Sequence, residues 1–370
     1  MKTKYIFILC SLMSVSLTSC GQVLDYSTHL DDYVTVMNYR DGFNILQLTD
    51  IHWSNNSSTM SSKIYLNKVF TEVVNHVDKI DLVEISGDLF MLANYYHITT
   101  FINYFEAKAV EYGFKYAVIW GNHDHHGLYN PNYLSKEFAR ANHSIYIDLE
   151  DNLYGRSNFV INLKKDEQVK WQITNLDSGA CFSETAIDAF RNYDYIRQDQ
   201  TDWWVLEHQK VGETVPNITY YHIPQQDNQR LWDEIHNNGA TYKNKFFKLE
   251  EFDSSEGEEY ASNFIETAKL HNLKGAFMGH AHNVDWTVDY DGVTIGLGVK
   301  TGTELYFAHV DASSDDPAVQ EGLASTGITE NFDLIGASLV TLKDETGNFD
   351  LEHLYLNERV NGDFIKWVKY

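Results

Sequence analysis

The stretch Phe43-Asn44-Ile45-Leu46-Gln47-Leu48-Thr49-Asp50-Ile51-His52 decides how the chain is read. It opens as an apolar, β-prone run and stops at two polar residues, Asp50 and His52. The same figure recurs four times. Ile80 to Ile85 is followed by Gly87-Asp88, and Phe114 to Trp120 by Gly121-Asn122-His123-Asp124. Ile218 to His222 ends on its histidine, and Gly275 to Met278 is followed by Gly279-His280-Ala281-His282. A Ser/Asn-rich loop (Ser54 to Ser62) and helical patterns near Lys63 to Val77 and His97 to Tyr112 separate the first three strands. Strands alternating with helices mark an α/β domain. In such sheets, functional groups gather just beyond the carboxyl ends of strands.

Outward from these motifs, Asn158 to Leu163 and Trp171 to Leu176 read as β segments, and Thr201 to Gln209 and Asp227 to Asn237 as helices. An acidic loop, Glu250 to Glu259, leads into a helix ending near His271. The last third returns to β, with Asp285 to Tyr290, Val293 to Leu297, Ala337 to Leu342 and Phe349 to Leu356 as strands and a hairpin turn at Asp291-Gly292. No repeat or low-complexity tract interrupts the pattern, so residues 20–370 are expected to form one domain.

Charge narrows the function. The 370 residues carry 28 Lys+Arg against 53 Asp+Glu, a formal net charge of −25, with no basic run. Such a surface repels a nucleic-acid backbone, so extended nucleic acid is not an expected partner. A small phosphorylated substrate remains compatible, because bound cations can dominate the local field of a site.

The N-terminus reads as a targeting segment. Lys2 and Lys4 precede a short apolar tract, Ile6 to Leu17, which runs into Leu17-Thr18-Ser19-Cys20-Gly21. That order is a signal peptide, residues 1–19, and the tract is short for a membrane span. Its end resembles a bacterial lipobox, which implies lipidation at Cys20, export and attachment to the cell envelope on its extracytoplasmic side. With Cys10 removed and Cys20 acylated, only Cys181 of the three cysteines remains. Any metal must then be held by His, Asp, Glu or Asn.

Each motif taken alone has a plain structural explanation. Asp50 can cap a turn, the glycine-containing pairs can be strand-end turns, and His222 can be a satisfied buried histidine. Five such motifs, in order and each at a strand end, leave coincidence as the poorer account. Together they resemble the calcineurin-like metallophosphoesterases, whose pattern is D-x-H, GD, GNH[DE], H and GH-x-H, over roughly Asn44 to His282. The resemblance implies a four-layer α/β/β/α sandwich of two mixed β-sheets flanked by helices. It implies that Asp50, His52 and His282 hold one metal, that Asn122, His222 and His280 hold a second, and that Asp88 bridges both. Imidazole and carboxylate ligands suit divalent or mixed-valence Fe, Mn or Zn. Two such ions about 3.5–4 Å apart clamp a phosphoryl group and yield a bridging hydroxide as nucleophile. His123 is left to protonate the leaving oxygen as general acid.

Asn175 to Gly179, Asp199-Gln200 before Trp203-Trp204, and His222-Ile223-Pro224 resemble a purple-acid-phosphatase-like, single-domain branch. The chain departs from that branch at Met91, three residues after Asp88, where purple acid phosphatases carry a tyrosine ligand and protein phosphatases an aspartate. Trp53, Asn94, His125 and His126 are the candidates for contacting substrate. The expected activity is phosphomonoester hydrolysis. A phosphodiesterase acting on nucleotides or phospholipid head groups and a non-catalytic surface-binding lipoprotein are the alternatives. No protein partner can be inferred.

Overall fold

The computed structural model describes residues 33–54, 57–148, 153–180, 193–250, 262–357 and 364–370. Elements are numbered in chain order. The larger sheet contains β1 (Val34–Asn38), β5 (Phe159–Lys165), β6 (Gln168–Asn175), β7 (Asn217–Tyr220), β8 (Asn244–Lys248), β9 (Leu273–Met278), β10 (Val284–Tyr290) and β11 (Val293–Leu297). Its strand order is β1-β5-β6-β7-β9-β11-β10-β8. The smaller sheet contains β2 (Phe43–Leu48), β3 (Leu82–Ser86), β4 (Lys115–Ile119), β14 (Gly336–Leu342), β15 (Phe349–Leu356) and β16 (Ile365–Lys369), in the order β16-β15-β14-β2-β3-β4. A ribbon of β12 (His309–Val310) and β13 (Phe332–Asp333) completes the strands.

Both sheets are mixed. β2, β3 and β4 run parallel, as do β6, β7, β9 and β11, so two sets of carboxyl ends meet at one end of the sandwich. Every residue of β3 and β7 is buried, as expected of strands covered on both faces. Alternation sorts their side chains. Ile218, Tyr220 and Phe277 enter the core cluster shared with β2 and β3, whereas Tyr221, Ala276 and Met278 enter the cluster beneath the helices of the larger sheet.

The helices cover the outer faces. α1 (Ser57–His76), α2 (Tyr95–Tyr112) and α3 (Pro131–Phe138) pack Val69, Phe70, Phe101, Phe105 and Phe138 into the core of the smaller sheet. α4 (Gln198–Val211), α5 (Gln226–His236) and α6 (Phe264–Lys269) contribute Trp203, Trp204, Trp232 and Phe264 to the core of the larger one. α7 (Pro317–Thr326) lies against β8. Two large mixed sheets with helices form the expected sandwich. Among the described residues no helix is long and apolar enough to cross a membrane.

Local departures have physical causes. α1 starts at Ser57, inside the stretch expected to be loop. Its packed turns supply the nucleus, and poorly helix-forming serines are then carried along by propagation. β1 and β16 have no counterpart in the sequence pattern because both are edge strands with partly exposed residues and little alternation. α3 and α7 are also additions, although Asn130-Pro131 and Asp316-Pro317 are helix starts of a recognisable kind: each side chain accepts a hydrogen bond two residues on. The Glu256 to Glu259 run, the signal segment, Cys20 and Cys181 lie outside the described residues.

One buried histidine makes stability sensitive to acid. His208 in α4 bonds Gln172 Oε1 through Nδ1 at 3.1 Å, stacks on Trp204, and has no hydrogen-bond partner for Nε2. Burial pushes its pKa down to about 4 from 6.5. Between those values the unfolded chain binds a proton that the folded chain does not. The stabilisation is therefore complete above about pH 6.5 and is lost as pH falls toward 4. Urea midpoints measured from pH 7 to 4 should fall more steeply for the parent than for His208→Gln. Parallel curves would contradict this.

Candidate metal centre

The five motifs converge because their strands end together. The loops after β2 and β3 are zipped by backbone bonds: Asp50 N–H donates to Gly87 O, His52 N–H to Asp88 O and Trp53 N–H to Leu89 O, at 2.8–3.1 Å. The chain turns sharply to aim its side chains inward. Asp50, His52, Asp88 and His280 all have positive φ, between 49° and 75°. That region is uncommon outside glycine and costs an L side chain roughly 1–2 kcal/mol. Four such residues in one place are held there by the surrounding structure, as strain at functional sites commonly is.

Two groups of donor atoms result, and Asp88 belongs to both. In the first, His52 Nε2 faces His282 Nε2 at 3.0 Å. Asp50 Oδ1 lies 3.4 Å from His282 Nε2 and 3.9 Å from His52 Nε2, and Asp88 Oδ2 is 3.9 Å from His52 Nε2. In the second, Asp88 Oδ1 is 3.3 Å from His222 Nε2, which also lies 3.2 Å from Asn122 Oδ1. His280 completes this group. The carboxylate of Asp88 thus turns one oxygen to each cluster.

The close approach explains the glycines. A Cβ on Gly87 would lie less than 3 Å from the His222 ring, and one on Gly121 less than 3 Å from the backbone nitrogen and carboxylate of Asp88. Outer bonds orient the donors. His222 Nδ1 meets Ser86 O at 2.9 Å, leaving Nε2 for the cradle. Asp50 Oδ2 accepts from Thr49 Oγ1 and from the backbone of His280, which leaves Oδ1 directed inward without a hydrogen bond.

The electrostatics fit cations. Burial holds His52 and His282 below the ordinary histidine range and His280 down at about 3, so these rings are neutral and their lone pairs are available. Burial also opposes charge on His222, but the Asp88 carboxylate outweighs it and pushes the ring up to about 9. Positive charge is therefore demanded between Asp88 and His222. Asp50 Oδ1 and both ring nitrogens of His280 are buried without hydrogen bonds, which is intelligible if each is a metal donor. The oxygen and imidazole set suits borderline divalent ions.

His123 stands beside the cradle, partly buried. Its backbone N–H donates to Asp88 Oδ1 at 2.8 Å, and its ring lies 5.0 Å from that of His52. Its Nδ1 has no hydrogen-bond partner, in keeping with Met91 where related enzymes carry Asp or Tyr.

The suggested substrate contacts fare differently. Trp53 is fully buried, packed against Phe101 and Tyr104 with its Nε1 on Thr100, so it presents no ring at a site mouth. Asn94 is the N-cap of α2, accepting from His97 N at 2.9 Å. His125 is turned back through Nδ1 onto Gly121 O. His126 places its ring 5.3 Å from that of His123 and alone of the four neighbours a candidate catalytic group.

Four residues beyond the motif ligands shape the site. Lys300, buried after β11, donates to Asp50 O at 2.8 Å. Burial pushes it down to about 8 against the pull of Asp50 and Asp88. Its only sequence signal is a lysine three residues past an apolar strand. Asp124 accepts from the backbone nitrogens of Leu89, Phe90 and Gly121 and so ties two ligand loops together. Tyr193 packs edge-on to His280 at 4.2 Å, and Tyr306 lies 4.7 Å from the His282 ring.

Comparison with known proteins identifies the family of the motif-bearing region. The pattern of the family described as calcineurin-like phosphoesterase matches residues 43–284. A protein of Arabidopsis thaliana named probable inactive purple acid phosphatase 28 is 22% identical over 309 residues, 73% of each chain. Among solved structures, a mutant cold-active protein tyrosine phosphatase aligns over 86% of this chain and 82% of its own, at 11% identity and a TM-score of 0.29.

Two substitutions separate site from scaffold. Gly121→Ala should displace Asp88 and weaken Mn or Zn binding about 10- to 100-fold by calorimetry, with an unchanged circular dichroism spectrum. Asn94→Ala should lower unfolding free energy by about 1 kcal/mol through loss of the cap while leaving metal affinity unchanged.

Proposed function

The chain belongs to the calcineurin-like phosphoesterases, a family of phosphoester hydrolases, and from that premise we propose that it is an exported phosphomonoesterase whose catalytic domain is residues 20–370. The observation that carries this reading is the division of Asp88 between two donor clusters. Asp50, His52 and His282 would hold one divalent ion, Asn122, His222 and His280 the other, and Asp88 would be shared. When bound, such a pair neutralises phosphoryl charge and acidifies a water nucleophile.

The chain's own groups do the rest. His123 delivers a proton to the departing alkoxide oxygen. Its backbone bond to Asp88 sets the ring's position relative to the cradle, so acid and ligands move as one unit. Lys300 holds the Asp50 loop from below through a backbone carbonyl. Asp124 keeps the loops bearing Asp88 and Asn122 in register. Lipidation at Cys20 would hold the enzyme at the envelope, where a small phosphorylated substrate arrives by diffusion.

A non-catalytic binding role is the second reading, because the Arabidopsis relative is named as probably inactive. Every motif position is kept in this chain. Elemental analysis of purified protein, followed by assays of aryl phosphate mono- and diesters with added Mn, Zn or Fe, separates the two. Two metal equivalents and a wide preference for the monoester are expected, whereas absence of both metal and hydrolysis would overturn the enzyme reading and favour the binding role. His123→Asn should retain metal and lose turnover by about 10²- to 10⁴-fold. Full turnover in that variant would exclude His123 as the acid.

A further inference from the structure

The end of the sandwich that carries the metal cradle also gathers exposed apolar residues. Among the described residues, six of the thirteen exposed large hydrophobics, Leu92, Tyr95, Tyr96, Leu128, Leu305 and Tyr306, follow the carboxyl ends of β3, β4 and β11. Leu128 is 92% exposed and Tyr95 61%. Leu92 touches the loop that bears Leu128: a Cβ on Gly127 would lie 3.0 Å from its Cδ1. Tyr306 reaches the cradle itself through His282. Leu305 is held outward at a φ of 60°, a backbone conformation that leucine rarely adopts. Tyrosine and leucine together are the composition of a surface that is part wet and part apolar. Single exposed hydrophobics need no explanation, but a group of them around one site does.

Strand direction says what covers it. β1 runs parallel to β5, which is antiparallel to β6, and β6 is parallel to β7 and β9. Val34 therefore lies level with Val160, Thr174, Thr219 and Ala276, the last two being three residues short of His222 and Gly279. Followed toward the N-terminus from Val34, the chain leaves the sheet on the cradle's side. Cys20, the residue marked for acylation, is thirteen positions before Tyr33. Thirteen residues span at most about 45 Å. If Cys20 is acylated, its acyl chains lie within about 45 Å of the end of the molecule that carries the exposed leucines and tyrosines.

We infer that this face is an interaction surface for a lipid bilayer, on which the protein rests with its metal cradle toward the membrane. The anchor supplies attachment and the apolar rim supplies orientation, two weak signals that act together. The partner is a zwitterionic rather than an anionic surface, because a chain of formal charge −25 is repelled by acidic head groups. The inference rests on the proposed lipidation at Cys20 but requires no turnover, so it stands or falls separately from the proposed phosphoesterase activity.

Lipidated full-length protein in a Cys181→Ser background tests it. Single cysteines are placed at Tyr96 and Leu128 on the rim, and at Val110 and Leu270 on exposed sites at the opposite end of α2 and before β9. Each is labelled with a fluorophore and reconstituted into phosphatidylcholine vesicles with or without brominated acyl chains. Quenching by bromolipid should be several-fold greater at 96 and 128 than at 110 and 270, and should weaken when phosphatidylglycerol replaces phosphatidylcholine. Equal quenching at all four positions would overturn the proposal. So would shielding of 96 and 128 from aqueous iodide without bromolipid quenching, which would assign the face to a protein partner or a second copy.

Discussion

Everything at the cradle follows from one constraint: two carboxylates, Asp50 and Asp88, are buried within reach of each other and must be met by positive charge. Ionised carboxyl groups in so dry a place are expensive unless compensated. The protein surrounds them with imidazoles that burial keeps neutral, and only His222 is drawn toward protonation, by Asp88. Such a set of donors cannot balance the charge alone. These donors could hold cations, and the division of Asp88 between the two clusters is consistent with a dinuclear centre.

The scaffold meets the cost of that arrangement with backbone order. Left-handed conformations at Asp50, His52, Asp88 and His280 would relax in an isolated loop. Here the first two loops are bonded to each other along their length, and Asp124 fastens the third with three backbone acceptor bonds. Lys300 closes the assembly from the larger sheet by binding the carbonyl of Asp50. Strain is stored where the ligands must point inward, and regular hydrogen bonding beside it prevents its release.

Met91, in place of the tyrosine or aspartate of the patterns this centre resembles, sets it apart. His123 has a fixed main chain and a ring whose Nδ1 lacks a partner. Its alignment depends on the Asp88 bond and on packing beside His52 and His126, not on a carboxylate behind it. His126, like His52, is a neighbouring ring placed to influence it.

Much of this was legible in the linear order of residues. Strand-end polar motifs separated by helical stretches specify an α/β sandwich, because apolar runs of that length must be buried and polar ends must emerge. The identities Asp, His and Asn at those ends specify metal chemistry, since cysteine is nearly absent. What the order could not specify is anything that depends on contact between distant segments. Trp53 adjoins a ligand in sequence yet turns into the core, where Phe101 and Tyr104 of α2 receive its ring. Lys300, Tyr193 and Tyr306 carry no motif and join the site only through contacts between distant segments: β9 and β11 pair in parallel, and Tyr193, ahead of α4, packs on His280. Edge strands β1 and β16 are stabilised by their neighbours' hydrogen bonds and not by their own pattern, so only assembly of the sheet reveals them. Residue type and order determined which chemistry is present; the three-dimensional packing alone decided which side chains reach it, because proximity in a folded chain is set by strand pairing and not by distance along the sequence.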